Sequence, residues 1–251
     1  MFGVGQLLST VFDLSVSGGA GHDGAMSDPG LQVARVVLIR HGQSASNEGG
    51  WLSGQDTCGG LTDLGIRQAE ALRDRLSVDS TLRPDRVLVS TMPRAVHTAE
   101  IIAGPTDHEP EQFADLMERT SGEAEGLTIA EYTDRYGKPP WTDWENPLSP
   151  GGESGEEFSL RVRTALDRVA IEAMGTTVWV VCHGGVIMAT AVNRWHGPDG
   201  PSGLGSIPLA SPQNTSISEW IVDGTGSWRM ARFNDQTHLV GVSDDAAPAA
   251  L

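Results

Sequence analysis

The sequence predicts an α/β protein, a three-layer α/β/α sandwich around a mainly parallel central sheet. Three short β-branched runs, RVVLI at 35–39, RVLVS at 86–90 and TTVWVVC at 176–182, read as buried strands, and each leads through a loop into a helical pattern. The runs are continuously apolar rather than alternating, as strands covered on both faces are. Sheets built from such repeats bind ligands outside the carboxyl ends of their strands, so function is expected in the residues that follow each run.

Taken in order, residues 1–34 are rich in Gly, Ser and Asp around a short apolar patch, Leu7 to Leu14, and read as a disordered extension outside the fold. Met26 is an alternative start, since the pattern that follows needs nothing before it. The first strand is followed by a loop and a helix from about Asp63 to Leu76. The second leads through Met92 and Pro93 into a helix near Ala95 to Ile102, with proline pre-set for a first helical turn. After an irregular acidic stretch, residues 154–174 have helical periodicity, and the third strand enters a helix through His183, Gly184 and Gly185. Residues 216–222 and 228–233 read as a terminal antiparallel pair. The folded domain is expected over 35–242, with 243–251 a flexible tail.

With 251 residues and 39% hydrophobic content, the chain can bury the core of one ordinary domain. Its 33 acidic against 17 basic residues give a formal charge of -16, a field that repels nucleic acid and anionic membranes. An anionic ligand therefore needs a local cationic pocket. Lys138 is the only lysine, so arginines must supply it. Cys58 and Cys182 match neither a disulfide framework nor a zinc set, which points to a reducing cytoplasm. No run approaches the roughly 20 apolar residues of a membrane span, and the N-terminus lacks the basic flank of a secretory signal. The seven histidines are scattered without metal-ligand spacing, so neither a metal nor a cofactor is expected.

Arg40, His41 and Gly42 follow the first strand, Arg94 the second, and His183 and Gly184 the third. In a parallel sheet these fall on one edge. Two guanidinium groups, two imidazoles and glycine amides there make a phosphate pocket. A neutral imidazole is a good nucleophile near pH 7, and covalent capture splits hydrolysis into two easier steps. The second ring nitrogen of such a histidine is expected to donate to a backbone carbonyl.

The segments VVLIRHGQSASN at 36–47, LTDLGIRQA at 61–69, STMPRAVHTA at 90–99, GGES at 151–154 and VVCHGG at 180–185 stand in the order of a known family. From Arg35 to Phe233 the chain resembles the histidine phosphatase superfamily, also called phosphoglycerate mutase-like. The resemblance implies a metal-independent phosphatase acting on a small phosphorylated metabolite. His41 would form a phosphohistidine, Arg40, Arg94 and His183 would hold the transferring oxygens, and Asn47 would complete the pocket. Ser53, Gly54 and Gly184 fall where the family contacts substrate. Gly184 excludes the branch with Asp after the second histidine. The other branch uses a loop Glu as general acid, and Glu118 in LMERTSGEAEGLT at 116–128 resembles it, with Glu123 and Glu125 as rivals.

Two alternatives follow from the same resemblance. A cofactor-dependent phosphoglycerate mutase is suggested by the Glu118–Arg119 pair, Arg119 then binding a second anionic group. Against it, residues 127–151 carry only Arg135 and Lys138 as cations. A catalytically silent binding module is opposed by the intact His41, Arg40, Arg94 and His183. Trp51 stands where many relatives carry an arginine. Trp141 and Trp144 either line the substrate entrance or pack their loop, and Cys182 reads as ordinary core. The substrate and any homo-oligomer stay open.

Overall fold

The computed structural model describes residues 32–197 and 207–242. The expected tail, and the expected extension apart from its last three residues, lie outside them. Six strands form one sheet in the order β3-β2-β4-β1-β5-β6. They are β1 (Val33–Arg40), β2 (Arg86–Val89), β3 (Glu111–Gln112), β4 (Thr177–Cys182), β5 (Ile217–Asp223) and β6 (Trp228–Asp235). The first four run parallel, β5 runs antiparallel to β1, and β6 turns back antiparallel to β5. The helices are α1 (Ala45–Gly49), α2 (Asp63–Val78), α3 (Pro93–Ala103), α4 (Ile129–Tyr136), α5 (Gly155–Glu172) and α6 (Gly184–His196).

The period of two along β1 sorts its side chains between two cores. Val36 and Leu38 pack with α5 and α6 through Phe158, Val162, Val186 and Ile187. Val37 and Ile39 pack with α2 and α3 through Ala69, Leu72, Ala95 and Ile102. Both faces of the sheet are thus covered, which is the expected three-layer sandwich and explains the unbroken apolar runs.

The sequence reading differs from the structure at three places. β1 begins at Val33, inside the stretch assigned to the extension, because Val33 and Ala34 pair with Asp223 and Val222 of β5. The irregular acidic stretch contains the edge strand β3, only two residues long and exposed. It also contains α4, which has a capping box from Thr128 and Glu131 and stops at Gly137 in the left-handed conformation.

Candidate active site

Strands β2, β4 and β1 are neighbours, so their carboxyl ends lie side by side. The ladder continues one residue past each end. His41 N–H donates to the Cys182 carbonyl at 3.0 Å, and Ser90 N–H to Val181 at 3.0 Å. The catalytic candidates therefore sit on backbone fixed by the sheet. The loop after β1 is pressed onto the first turn of α2, where a Cβ on Gly65 would stand 2.0 Å from the Gln43 carbonyl oxygen. Only glycine permits that approach. From α3, Thr98 ties the loop to the second strand end: its hydroxyl accepts from Gly42 N–H at 3.0 Å and donates to the Arg94 carbonyl at 2.7 Å.

His41 is buried, and its Nδ1 lies 2.7 Å from the Gly42 carbonyl oxygen. A carbonyl only accepts, so the proton is on Nδ1, as expected from the sequence, and the lone pair is on Nε2. That lone pair accepts from Arg94 Nε at 3.1 Å. Burial, with the Arg94 and Arg40 charges adding to it, holds the His41 pKa well below 6.5. The ring is neutral at pH 7.

His183 lies 5.1 Å from His41, centroid to centroid. Burial, then Arg94, depresses its pKa in the same way. Its Nε2 meets the Ser90 hydroxyl at 2.7 Å, while Nδ1 is buried without a protein partner. Arg40 Nε is likewise buried and unpartnered. Two such orphans beside His41 are what an anionic oxygen would satisfy. Arg94 completes the cationic side. Its Nη1 donates to Ser53 Oγ at 2.9 Å and to Cys58 Sγ at 3.4 Å, and its Nη2 contacts Met92 Sδ at 3.1 Å. Sulfur is a weak acceptor, so most of this guanidinium's hydrogen-bonding capacity is available to a phosphate.

Glu118 closes the cleft from the other side. One carboxylate oxygen accepts from Gly185 N–H at 2.8 Å, the other from Arg119 N–H at 3.0 Å. A Cβ on Gly185 would come within 2.1 Å of that carboxylate. The second glycine of VVCHGG is thus the space in which Glu118 sits. Glu153 of the GGES segment holds the Glu118 loop by accepting from Thr120 N–H at 2.9 Å and from Arg161 at 2.7 and 2.8 Å. Arg161 in turn donates to the Asp115 and Met117 carbonyls at 2.9 and 3.0 Å.

The resulting cleft is about 280 Å³, and Arg40, His41, Asn47, Ser53, Arg94, Glu118, Arg119 and Gly184 all line it. His183 is fully buried next to His41 and contributes no surface to the cleft. Gly54 does not line the cleft: it abuts the Glu125 carboxylate, which accepts from Thr57 Oγ1 at 2.8 Å. Of the three candidate acids, only Glu118 lines the cleft, and Glu123 is exposed. Asn47 Oδ1 accepts from Ser44 N–H at 3.2 Å and from Asn214 at 3.2 Å, leaving its amide N–H groups for a ligand.

Arg119 lines the cleft, but its guanidinium is engaged elsewhere. It donates to the carbonyls of Glu153 at 3.0 Å, Asn146 at 2.8 Å and Asp143 at 3.4 Å, and stacks 5.3 Å over Trp144. These contacts occupy the donors that Arg119 would need to bind a second anion. Trp144 packs on Phe158 and Trp141 is exposed, so the former fastens the loop. Burial pushes the Cys182 thiol pKa up, in keeping with a core role.

Sequence reasoning missed Asn214 and Thr215. Asn214 Nδ2 donates to the His41 carbonyl at 3.0 Å. Thr215 N–H reaches the Arg40 and His41 carbonyls at 3.0 and 3.3 Å, and Thr215 itself is held at φ 56°. A β-branched residue in that region is strained, a state that surrounding structure must impose. The dipeptide Asn-Thr ahead of a strand is too common to carry a signal. A larger depression of about 950 Å³, lined by Arg163, Asp167, Arg194 and Trp228, has no comparable cluster. It abuts the β5–β6 turn, at the amino end of β1. Among the described residues, no helix is long and apolar enough to cross a membrane, and no group of three or more His, Cys, Asp or Glu side chains is placed to hold a metal ion.

Comparisons with known proteins converge on one family. The profile of the histidine phosphatase superfamily (branch 1) matches residues 36–236. A metal-independent phosphoserine phosphatase of Arabidopsis thaliana is 32% identical over 219 residues, 84% of this chain and 85% of that protein. The structure of a putative alpha-ribazole-5'-P phosphatase from Escherichia coli superposes with a TM-score of 0.67 at 26% identity, covering 81% of this chain and 98% of that one. A phosphoglycerate mutase from Bacillus anthracis shares the fold, with a TM-score of 0.70 at 21% identity over 84% of this chain and 96% of its own. With the motif order of the sequence, the shared fold and a histidine–arginine cluster at the sheet edge, this chain belongs to the histidine phosphatase superfamily, branch 1.

Proposed function

We propose that this chain hydrolyses phosphomonoesters through a phosphohistidine on His41, with Glu118 as general acid and no metal. The observation that carries the reading is the His41 tautomer: Nδ1–H is anchored on the Gly42 carbonyl, which presents an uncharged Nε2 to the cleft. When the phosphate dianion enters, the Arg94 Nε–H keeps its proton and turns its hydrogen bond from that lone pair to a phosphate oxygen, exposing the nucleophile. Nε2 attacks phosphorus, the bond from phosphorus to the ester oxygen breaks, and Glu118 gives its proton to the departing alkoxide. Water then attacks the phosphohistidine, Glu118 takes a proton from it, and inorganic phosphate leaves. Arg40, Arg94 and the His183 Nδ1 stabilise the transferring oxygens by groups already in place.

Phosphatase is favoured over mutase because Arg119, the one cation placed to hold a second phosphate, is committed to loop carbonyls. The name of the Arabidopsis relative supports the same choice and a metal-free reaction. Two free cysteines, both buried, accord with a reducing cytoplasm.

Phosphate release in EDTA, measured for wild type and His41→Ala, tests the reading. The variant is expected to lose at least about a thousandfold in kcat/KM, and wild type quenched during turnover should carry an acid-labile, base-stable phosphoryl group. Equal rates for the two proteins would eliminate His41 as nucleophile, and isomerisation of 3-phosphoglycerate without net release would make the enzyme a mutase.

A further inference from the structure

We infer that the cleft selects esters whose alcohol portion is uncharged and carries an apolar face, and discriminates against phosphorylated acids and bisphosphates. This selectivity rests on the phosphatase reading above and concerns the part of the substrate that leaves.

Counting charge is the first reason. The cations available to a ligand are Arg40 and Arg94, since both histidines are held neutral. A phosphate dianion balances these two charges by itself. The other cations near the cleft have their donors in use: Arg119 keeps its charge but spends all three guanidinium nitrogens on loop carbonyls, while Lys138 pairs with Asp143 and Arg161 with Glu153. A carboxylate or second phosphate on the alcohol would lie beside Glu118 with no partner, in a chain of formal charge -16. An unpaired charge in a partly desolvated cleft is disfavoured.

The uncharged part of the lining is the second reason. Trp51, Leu52 and Met188 line the same cleft, together with Ser121 and Ser211. The Trp51 ring is fixed rather than loose. Its Nε1–H donates to the Thr57 carbonyl at 3.1 Å, its backbone bridges Thr128, and its Cζ3 lies where a Cβ on Gly49 would stand. A rigid aromatic face gains from covering apolar surface and offers nothing to an anion.

The test compares kcat/KM for glycerol 3-phosphate, benzyl phosphate and 3-phosphoglycerate in wild type, His41→Ala and Trp51→Arg. The first and third substrates differ mainly in a hydroxymethyl against a carboxylate. Wild type should favour glycerol 3-phosphate over 3-phosphoglycerate by about tenfold or more, which is about 1.4 kcal/mol, and should favour benzyl phosphate over both. Trp51→Arg should close the gap between the matched pair and lower benzyl phosphate turnover. Inhibition of wild type by benzylphosphonate and by 3-phosphonopropionate repeats the comparison without relying on a variant, and benzylphosphonate should bind more tightly. A preference for 3-phosphoglycerate, tighter 3-phosphonopropionate binding, or a matched-pair ratio unmoved in a folded Trp51→Arg would overturn the selectivity while His41-dependent release left the phosphatase reading standing. Absence of His41-dependent release from every ester would instead bring down the phosphatase reading and the selectivity with it.

Discussion

His41 and Glu118 face one cleft but are held by different means. His41 follows the second central strand of a six-stranded sheet, flanked by residues whose backbone hydrogen bonds extend the ladder itself. Glu118 belongs to a loop outside the sheet, and that loop is held by side chains: Arg161 and Glu153 grip it, and Arg119 grips the segment packed against it. The proposed nucleophile inherits its precision from the core. The proposed acid owes its own to a polar network, in which removing one member leaves others unpaired.

The largest effect expected on that contrast comes from the acid itself. Glu118→Gln should lower kcat/KM for alkyl phosphates by about a hundred to ten thousand fold and leave p-nitrophenyl phosphate, whose alcohol needs no proton to depart, far less affected. Equal losses for both esters would mean that Glu118 positions phosphate rather than delivering a proton.

Gly185→Ala should come next. Its new methyl would occupy the site of the Glu118 carboxylate. A loss of about ten to a hundredfold in alkyl-ester turnover is expected, since misplacement by an ångström can cost about that much. Thermal unfolding should move little, because the loop can yield where the sheet cannot. Full activity in this variant would show that Glu118 acts from a different place.

Arg161→Met should have a smaller effect on rate and a clearer one on stability. It strands the half-buried Glu153 carboxylate and two loop carbonyls, at a cost of about 1–3 kcal/mol in urea unfolding. A purely kinetic defect would contradict the view that the acid side is held by this network.

The smallest effect is one of pH, and it belongs to the nucleophile side. His238 meets the Thr215 hydroxyl at 3.0 Å, and burial, reinforced by Arg75, lowers its pKa to about 4. The unfolded chain takes up this proton as pH falls through about 6.5, the native protein only near 4. Stability is therefore full above about 6.5 and declines between there and about 4, with the buried His41 and His183 acting in the same direction. His238→Gln should flatten the decline by about 1 kcal/mol, discounted for its partial exposure. An unchanged slope would shift the acid sensitivity to the other two histidines.

The same contrast governs what the sequence disclosed. RVVLI, RVLVS and TTVWVVC announced their strands because burial on both faces demands unbroken apolar residues. Residues one to four places beyond them could be assigned to a common edge from topology alone. Arg119 misled because an arginine beside the acid looks the same in sequence whether it faces a ligand or a loop carbonyl. The α4 helix was hidden by an acidic composition that its capping box outweighs. Asn214 and Thr215 were illegible because their importance lies in which carbonyls they reach across the sheet, and no local pattern records a partner 173 residues away.

That last contact has a consequence for the order in which the molecule becomes competent. The nucleophile lies at the end of the first strand in the chain, yet its carbonyl is clamped by residues at the entrance to the fifth, after every parallel element has been made. An amino-terminal fragment ending before Asn214 would carry the arginines, both histidines and the acid without the clamp that orients His41. Activity is then a property acquired at the close of folding, and the strained Thr215 backbone is the point at which late synthesis fixes early chemistry.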